Sequence, residues 1–322
     1  MEFGFLGLGR MGANMVKRLI RGGIHPVIWN RTHQKAVEIA KYGTVAVEEP
    51  LAVLEKLPER KIIWLMLPAG DVTDEMIDFL MPHLKAGDIL VDGANTNYVS
   101  DILRYKKLRA HGIHYIDVGV SGGVWGLDRG YCLMIGGDPE PVEALEPVFK
   151  VLAPGQGSVP VLMNPSSQES TAPKGFLHCG PAGSGHFVKM VHNGIEYGIM
   201  QSYSEGINLL KSAIGPDNPN GNSFDFDLQE ILELWRRGSV IGSWLLDLTL
   251  SAVAQDPSLE SFDGFVQDSG EGRWMLETAT KMGVPVPALA GALFSRFSSR
   301  EKDKFSNKIL SAMRFQFGGH KE

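Results

Sequence analysis

The chain has 322 residues, of which 43% are hydrophobic and 21% are charged. This composition predicts a folded protein with about two domains of roughly 100–200 residues each, and it does not indicate disorder. The formal net charge of -6 at pH 7 argues against nucleic acid as a partner, because a nucleic-acid-binding domain usually carries a basic surface. An anionic ligand therefore needs a local cluster of Arg and Lys.

The cysteines and the apolar segments exclude further classes of protein. Cys132 and Cys179 show neither the spacing of a metal site nor a disulfide framework. The N-terminal segment MEFGFLGLG lacks a basic region and predicts a first strand rather than a signal peptide. No apolar run reaches the roughly 18 residues that a transmembrane helix needs. We therefore expect a cytoplasmic protein with no metal and no membrane contact.

Short apolar segments alternate with amphipathic segments through the first half of the chain. The apolar segments predict strands over residues 2–8, 25–30, 61–68, 88–95, 113–123 and 131–138. The amphipathic segments predict helices over residues 12–22, 32–42, 71–81, 97–110 and 139–152. This alternation is typical of a parallel sheet with helices on both faces. We expect an α/β Rossmann-type dinucleotide-binding domain over residues 1–181.

The pattern changes near the glycines at 180, 183 and 185. Helical periodicity then runs to about residue 212, and about 30 residues make a helix of roughly 45 Å. Residues 215–223 have the composition of a loop. Further helices are predicted over residues 225–237, 240–254, 272–282, 286–299 and 301–315. We expect an all-α helical domain, built on the one long helix, over residues 182–322.

The segment GLGRMG contains the spacing G-x-G-x-x-G. Its first glycine allows a tight turn, its second lets a pyrophosphate approach the backbone, and its third lets the helix pack on the strand. A glycine turn without a ligand is the alternative. The motif follows a predicted strand and precedes a predicted helix, which favours a dinucleotide site. We expect the cofactor to contact Gly7, Leu8, Gly9, Arg10, Met11 and Gly12.

The end of the second predicted strand indicates which dinucleotide is bound. An NAD site normally presents Asp or Glu there, roughly 20 residues past the glycines, to bind the ribose 2'-hydroxyl. This strand instead ends in Asn30, Arg31 and Thr32. Arg31 suits a 2'-phosphate and Thr32 can donate a hydrogen bond to it; a solvated Arg31 and a helix-capping Thr32 are the alternative, and both roles can coexist. We expect NADP as the cofactor, with NAD as the second choice.

The segment HFVKMVHNGIEYG, residues 186–198, places polar side chains on a mostly apolar helix. Four of them follow at helical offsets on one face, over two turns: Lys189, His192, Asn193 and Glu196. A lysine accepts a proton when burial and positive neighbours lower its pKa, and a carboxylic acid donates one when burial raises its pKa. Lys189 and Glu196 therefore suit a base and an acid, and an interhelical salt-bridge network is the alternative.

This helix resembles the signature of the 6-phosphogluconate dehydrogenase family, the decarboxylating enzymes of the oxidative pentose phosphate pathway. The resemblance extends to GLGRMGANM, NRT, DGANT, GVSGG, WRRGSVI, GVPVPALAGALFSRFSS and a closing R-x5-H. It covers nearly the whole chain, and the length matches the short form of the family. It implies oxidative decarboxylation of 6-phosphogluconate to ribulose 5-phosphate and CO2, with reduction of NADP or NAD, by a homodimer or tetramer.

The resemblance also implies the catalytic roles. Lys189 matches the base that takes the proton from the C3 hydroxyl as hydride leaves for the nicotinamide. The same lysine, once protonated, polarises the ketone while CO2 is lost. Glu196 matches the acid that protonates C1 of the enediol, and Asn193 is included among the catalytic residues.

Further positions match binding residues of the family. Leu67, Pro68, Ala69 and Gly70 match a loop along the cofactor, although the family usually has Lys where Pro68 stands. Asn95 matches a residue that contacts both cofactor and substrate; a turn residue at Asn95 and a tight loop at SGG are the alternatives. The other matches run from the carboxylate and hydroxyl end of the substrate to its phosphate end: Ser121, Gly122, Gly123, His192, Asn193, Tyr197, Arg296, Arg314 and His320.

The phosphate end departs from the long forms of the family. Ser269 and Glu271 stand where long forms have Lys and Thr contacting the phosphate. This difference implies weaker phosphate binding unless Arg273 or another residue compensates. Arg314 and His320 keep the six-residue separation of the family, and in long forms both reach in from the partner subunit.

Two other functions share parts of this pattern. A 3-hydroxyisobutyrate-like dehydrogenase would share the glycine loop, the SGG segment, Lys189 and Asn193. It would not need Glu196, Arg296 or the tail with Arg314 and His320. A non-catalytic NADP(H)-binding sensor on the same scaffold is the second alternative. The presence of both Lys189 and Glu196 argues against a sensor, which has no use for an acid and a base.

Overall fold

The computed structural model describes residues 2–158, 160–162, 170–214 and 224–318. The chain divides into two compact units, Met1–Met190 and Val191–Glu322. The division falls inside the long helix, whereas the sequence predicted a domain boundary between residues 181 and 182. Each unit has its own hydrophobic core.

The strands of the first unit form one sheet. Among the described residues this sheet has eight strands, in the order β3-β2-β1-β4-β5-β6-β7-β8. They are β1 (Gly4–Leu6), β2 (Val27–Trp29), β3 (Val45–Ala46), β4 (Ile62–Leu65), β5 (Ile89–Asp92), β6 (His114–Ser121), β7 (Cys132–Gly137) and β8 (Phe176–Gly180).

The first six strands are parallel, as predicted, but the last two run in the opposite direction. β7 pairs antiparallel with β6, and β8 pairs parallel with β7. The predicted parallel sheet therefore ends in two strands of opposite direction, which the sequence did not indicate. The connection between Ser121 and Cys132 is the physical reason, because a parallel crossover usually needs a dozen or more residues and a helix that packs on the sheet.

The helices of the first unit cover the sheet and include elements that the sequence did not predict. They are α1 (Arg10–Arg21), α2 (His33–Ala40), α3 (Pro50–Glu55), α4 (Asp71–Leu80), α5 (Tyr98–Arg109), α6 (Gly126–Arg129), α7 (Pro139–Ala144) and α8 (Glu146–Leu152). The single helix predicted over 139–152 is two helices, since Pro147 cannot donate the backbone hydrogen bond that a continuous helix requires. Strands β3 and β8 and helices α3 and α6 were not predicted; β3, α3 and α6 have only two, six and four residues.

Two apolar clusters hold the sheet and its helices together. Phe5, Trp64 and Phe149 are fully buried and in ring contact on one side, with Phe5 and Trp64 stacked at a centroid distance of 6.0 Å. Leu65 and Leu90 belong to the second cluster, which packs separately. Neighbouring strand residues thus point into different clusters, which is the arrangement of a sheet covered on both faces.

The long helix α9 (Ser184–Ser212) begins in the first unit and continues into the second. The second unit is helical, as predicted, and its remaining described helices are α10 (Leu228–Arg236), α11 (Trp244–Gln255), α12 (Glu271–Met282), α13 (Pro287–Ser298) and α14 (Lys304–Gly318). Helix α11 begins four residues later than predicted because the Ser243 side chain caps it, accepting a hydrogen bond from Leu246 N at 3.1 Å. No helix in the described part of the chain is long and apolar enough to cross a membrane.

Candidate active site

The glycine loop between β1 and α1 has the close contacts that its spacing predicted. Gly7 has a φ of 105°, and a Cβ there would lie 2.2 Å from Met66 O. A Cβ on Gly12 would lie 2.2 Å from Gly7 O, so only glycine allows this turn to close. A Cβ on Gly9 would meet nothing within 4 Å. The missing side chain at Gly9 therefore leaves room for a ligand, and a pyrophosphate at a helix N-terminus fits that space.

A cavity of about 850 Å³ opens beside this loop. Ten of the fourteen predicted cofactor residues line it: Gly7, Gly9, Met11, Gly12, Asn30, Arg31, Thr32, Leu67, Pro68 and Asn95. The other four predicted residues, Leu8, Arg10, Ala69 and Gly70, are not among the described residues that line the cavity. Leu8 is buried in the core and its backbone N–H donates to Asn30 Oδ1 at 2.8 Å, so it anchors the loop rather than facing the cavity.

The part of the cavity formed by the end of β2 and the start of α2 carries two cations. Arg31 lies just past β2, and Lys35 lies on the first turn of α2, three residues after Thr32. Thr32 occupies the N-cap position of α2, but its side chain makes no capping hydrogen bond. Its hydroxyl is therefore not used to cap the helix. Lys35 was not among the predicted residues, although its spacing of three from Thr32 on a helix was a usable signal. The arrangement suits a 2'-phosphate.

Another part of the cavity lining comes from α4 and the chain before it. Val72, Glu75, Met76 and Phe79 line the cavity from this helix. These residues were missed because a single sequence gives no sign of which face of an amphipathic helix meets a ligand. The wall is mostly apolar, which is the usual character of a cofactor pocket with a few convergent polar groups.

The turn after β5 is built around a buried carboxylate. Asp92 accepts hydrogen bonds from Ala94 N at 2.8 Å, Thr96 Oγ1 at 2.9 Å and Arg104 Nη1 at 2.7 Å. These bonds hold Asn95 in a left-handed backbone conformation, with φ at 53°. Asn95 therefore reaches the cavity from a fixed turn, at the carboxyl end of a central parallel strand, where ligands of such sheets bind.

The SGG segment after β6 is a glycine-dependent turn that α1 helps to hold. Gly122 and Gly123 have φ values of 148° and 54°, which favour glycine. Asn14 on α1 donates from Nδ2 to Val124 O at 3.1 Å, just beyond these glycines. The helix whose first residues face the cofactor cavity thus also holds the loop that carries Ser121. The sequence did not indicate this link.

Lys189 lies on α9 and is buried, with 5% of its surface exposed. A Cβ on Gly119 would lie 2.4 Å from the Cβ of Lys189, so the helix passes directly over β6 at this glycine. Gly119 precedes Ser121 by two residues on the same strand. The structure therefore brings Lys189 to the part of β6 that leads into the SGG loop, as the site predicted from the sequence requires.

The other polar residues of the helix face follow in the second unit. His192 Nδ1 lies 3.8 Å from Glu196 Oε2 and 3.1 Å from Asn193 Oδ1. The side chains of His192 and Glu196 are 41% and 38% exposed, which leaves both able to reach a ligand. Because α9 is continuous through the boundary, the spacing of Lys189, Asn193 and Glu196 is that of one helix.

Tyr197 and Arg296 form a compact pair within the second unit. The Arg296 guanidinium lies 3.7 Å from the centroid of the Tyr197 ring, and its Nη1 donates to Gln267 O at 2.7 Å. Tyr197 is buried and its hydroxyl accepts a hydrogen bond from Ser269 N at 3.3 Å. The predicted phosphate residues Tyr197 and Arg296 are therefore together, and they also touch the 267–269 segment.

The segment around Ser269 and Glu271, where the chain differs from the long forms of the family, is held by hydrogen bonds and ion pairs within the second unit. Ser269 donates a short hydrogen bond from Oγ to the buried carboxylate of Glu271. Arg273 and Arg300 both pair with Asp268, at 2.9 and 2.7 Å, and these hydrogen bonds and charges outweigh burial and lower the pKa of Asp268. Arg273, suggested above as a compensating cation, is thus already held by a carboxylate.

The tail was predicted to contribute Arg314 and His320. Arg314 lies on α14, a helix that the sequence predicted, and its side chain is exposed. His320 lies outside the described residues. Its predicted contact with a phosphate, from the same or a partner subunit, stays a prediction.

Comparison with known families identifies both units. A family model described as the NAD binding domain of 6-phosphogluconate dehydrogenase matches residues 2–161. A second, described as the 6-phosphogluconate dehydrogenase C-terminal domain, matches residues 185–316. Together these models span nearly the whole chain, including the glycine loop and the helix that carries Lys189.

Individual relatives agree with the family models. The chain is 37% identical to a putative 6-phosphogluconate dehydrogenase YqeC of Bacillus subtilis, over 99% of this chain and 98% of the relative. It is 36% identical to an NAD(+)-dependent, decarboxylating 6-phosphogluconate dehydrogenase of Haloferax volcanii, with the same coverage. It is also 34% identical to an NADP(+)-dependent, decarboxylating enzyme of Bacillus subtilis, over 94% of this chain but 62% of that longer relative.

Solved structures show the same fold. The 6-phosphogluconate dehydrogenase of Plasmodium falciparum matches with a TM-score of 0.78 at 26% identity, over 99% of this chain and 65% of that chain. A 3-hydroxyisobutyrate dehydrogenase of Mycobacterium tuberculosis matches with a TM-score of 0.67 at 17% identity, over 94% of each chain, which shows the fold alone. The resemblance predicted from the sequence is confirmed: the chain belongs to the 6-phosphogluconate dehydrogenase family.

Proposed function

We propose that this protein catalyses the oxidative decarboxylation of 6-phosphogluconate to ribulose 5-phosphate and CO2, with reduction of NADP or NAD. The observation that carries the proposal is the helix α9, which buries Lys189 against β6 and then presents Asn193 and Glu196 at helical spacing. The relatives of the same length are named as 6-phosphogluconate dehydrogenases, which supports this substrate. A 3-hydroxyisobutyrate-like activity has only a fold similarity in its favour.

The chemistry assigns one proton transfer to each end of the helix face. Lys189 Nζ would accept the proton of the C3 hydroxyl, and a nicotinamide held in the cavity would supply the acceptor for the hydride on C3. The C3 ketone is then β to the carboxylate, and the protonated lysine stabilises the negative charge that develops on its oxygen when the bond to the carboxylate carbon breaks. Glu196 then gives a proton to the carbon that the carboxylate has left. The substrate loses one proton to Lys189 and gains one from Glu196, so its proton balance closes.

The cofactor site is expected to prefer NADP. Arg31 and Lys35 offer two positive charges to a 2'-phosphate, and Thr32 offers a hydroxyl. An Arg makes a bidentate contact with phosphate, and a Lys adds a point charge. Asn30 does not replace the acidic residue of an NAD site, because its carboxamide is bound to Leu8 N and Thr32 O.

We propose that the active unit is at least a homodimer in the cytoplasm. Helix α14 exposes Phe305, Ile309 and Met313, which follow at helical spacing and form an apolar stripe. The second unit also has an apolar groove of about 720 Å³, which includes the exposed residues Ile195 and Ile241. Contiguous apolar surface of this kind favours association with another chain. The free thiols of Cys132 and Cys179 suit a reducing compartment.

A cofactor-reduction assay with 6-phosphogluconate, combined with CO2 trapping, tests the proposal. NADP and NAD are compared as cofactors, and 3-hydroxyisobutyrate and unphosphorylated gluconate serve as substrate controls. Stoichiometric CO2 and reduced cofactor with 6-phosphogluconate alone are expected. Lys189→Ala should abolish hydride transfer but bind NADP as tightly as the unmodified protein. Reduction of cofactor with 3-hydroxyisobutyrate and none with 6-phosphogluconate would overturn the assignment.

A further inference from the structure

A buried histidine lies one helical turn before Lys189. His186 is 1% exposed, and its Nδ1 lies 2.8 Å from Oδ2 of Asp101, which is itself fully buried. Its Nε2 has no hydrogen-bond partner among the described residues. The proposed reaction gives this histidine no chemical step. A buried polar ring at this place therefore needs another explanation, since burying it costs free energy unless its partners offset the loss of water.

The backbone of the same residue is held by a second carboxylate. Asp117, on β6, accepts a hydrogen bond from His186 N at 2.9 Å with Oδ2 and from Gly183 N at 2.6 Å with Oδ1. The first N–H groups of a helix have no partner within the helix, and a negative charge there is also favoured by the helix dipole. Asp117 thus fastens the start of α9 to the strand that leads to Ser121.

Three glycines let the helix approach the sheet at this point. A Cβ on Gly136 would lie 2.8 Å from Gly185 N, and a Cβ on Gly185 would lie 2.4 Å from Met134 O. One turn further along, Gly119 faces the Cβ of Lys189. The backbones of α9, β6 and β7 are therefore in direct contact, so a small shift of the first helical turn moves the lysine.

The charges around His186 form one buried network. The groups that face it are Asp92 on β5, Asp101 and Arg104 on α5, and Tyr115 and Asp117 on β6, with Lys189 one turn along its own helix. Burial alone would lower the pKa of His186, but the charge of Asp101 and the hydrogen bond to it raise that pKa to about 9. Asp92, Asp101 and His186 are close enough to hold a metal ion. A charged His186 beside Arg104 instead supplies the positive charge that these carboxylates require.

We propose that His186, held by Asp101 and Asp117, is a positioning residue for Lys189. It fixes the first turns of α9 against β6, and so sets where the lysine side chain begins relative to Ser121. Its positive charge also acts on the lysine, because a nearby positive charge favours the neutral, proton-accepting form of an amine. This inference rests on the proposed function, in which Lys189 is the base.

The test uses the full-length protein and two substitutions that keep the shape of the network. His186→Gln keeps a donor for Asp101 and removes the charge, and Asp101→Asn keeps an acceptor for the histidine and removes the opposite charge. His114→Gln is the matched control, because His114 lies at the other end of β6 beside Glu140, away from Lys189. For each variant, Tm is measured first by thermal unfolding. The values of kcat, KM, the pH profile of kcat and NADP affinity are then measured at a temperature well below Tm.

The expected result separates positioning from stability. His186→Gln and Asp101→Asn should each lower kcat about 10-fold or more, because small displacements of a reacting group cost large factors in rate. NADP affinity should stay within about twofold, and the acid limb of the kcat profile should move to higher pH for His186→Gln as the charge is lost. His114→Gln should match the unmodified protein in all these quantities.

Two outcomes would overturn the inference. The first is a lowered Tm with normal kcat and an unmoved pH profile in the folded variants, which would make the network purely structural. The second, decisive if His186→Gln does not fold, is an Asp101→Asn variant with normal kcat. Failure of the proposed function looks different, because the unmodified protein would then release no CO2 from 6-phosphogluconate.

Discussion

Asn95 and Val120 are joined through both polar atoms of the Asn95 carboxamide. Oδ1 accepts a hydrogen bond from Val120 N at 2.9 Å, and Nδ2 donates to Val120 O at 3.2 Å. The side chain therefore makes the hydrogen bonds to β6 that the backbone of a longer β5 would make. It holds the two strand ends together beside the cofactor cavity. One hydrogen of Nδ2 remains for a ligand, so the predicted contact of Asn95 with cofactor and substrate and this structural role are compatible.

Asn95→Ala should therefore damage both stability and binding. Two backbone groups of Val120 would lose their partners, which costs about 1–3 kcal/mol in the free energy of unfolding. The left-handed backbone would add strain, since Asn tolerates it better than Ala. Urea unfolding and steady-state kinetics measure the two effects. Asn95→Asp, which keeps an acceptor for Val120 N, should lose less stability, and an Ala variant as stable as the unmodified protein would contradict this account.

Local sequence patterns predicted much of this site, but its long-range contacts could not be predicted from them. The glycine loop, the strand ends and the face of α9 follow from spacing within short segments, because helices and strands have fixed periods. The partner of Asn95 lies 25 residues away, and the two carboxylates that hold His186 lie 85 and 69 residues away. No local period encodes such contacts. The strand at β7 was predicted but its reversed direction was not, since that direction depends on a ten-residue connection rather than on the sequence of the strand.

Cofactor choice should depend on Arg31 and Lys35 together. Each charge-assisted hydrogen bond to the 2'-phosphate contributes about 1.5–3 kcal/mol, so Arg31→Ala should lower kcat/KM for NADP by roughly 10- to 150-fold and change that for NAD little. Lys35→Ala should act in the same direction by a smaller factor. Lys41→Ala is the control, because Lys41 follows the end of α2 and does not line the cavity. Higher kcat/KM with NAD than with NADP in the unmodified protein would show the assignment of Arg31 to be wrong.

Glu271 should weaken the binding of a phosphorylated substrate. Its buried carboxylate contacts Ser269, whose backbone N–H in turn bonds to the hydroxyl of Tyr197. Glu271→Gln keeps an acceptor for Ser269 and removes a charge whose repulsion of a nearby phosphate is worth about 1 kcal/mol, or roughly fivefold in KM. KM for 6-phosphogluconate should fall by this factor, while Glu277→Gln, an exposed change on the same helix, should leave it unchanged. An increased KM in the Gln variant would mean that the carboxylate assists binding.

The free energy of unfolding should decrease as pH rises, because His186 loses its proton. The pKa of this histidine is raised from 6.5 to about 9 in the folded protein, so its contribution is complete below pH 6.5 and is lost as pH rises to 9. The free energy of unfolding should fall by roughly 1–3 kcal/mol across that range. Burial raises the pKa of Asp117 to about 6, so this carboxylate titrates mainly below the window and adds little slope within it. Urea unfolding of His186→Gln should show a clearly flatter pH dependence, and an equal slope in both proteins would exclude His186 as the cause.

The tail tests substrate binding and assembly together. Arg314 lies on an exposed, apolar-striped helix of the second unit, which is a suitable place for a residue that serves a neighbouring subunit. If each tail completes the phosphate site of a partner, Lys189→Ala and Arg314→Ala should each be inactive alone but regain activity when mixed and reassembled. Some mixed dimers would then contain one site with both residues intact. Activity up to about a quarter of that of the unmodified protein is expected at equal mixing, because half of the dimers are mixed and each has one complete site. Subunit exchange is confirmed separately with labelled chains, and exchange without rescue would place Arg314 in the site of its own subunit or outside the chemistry.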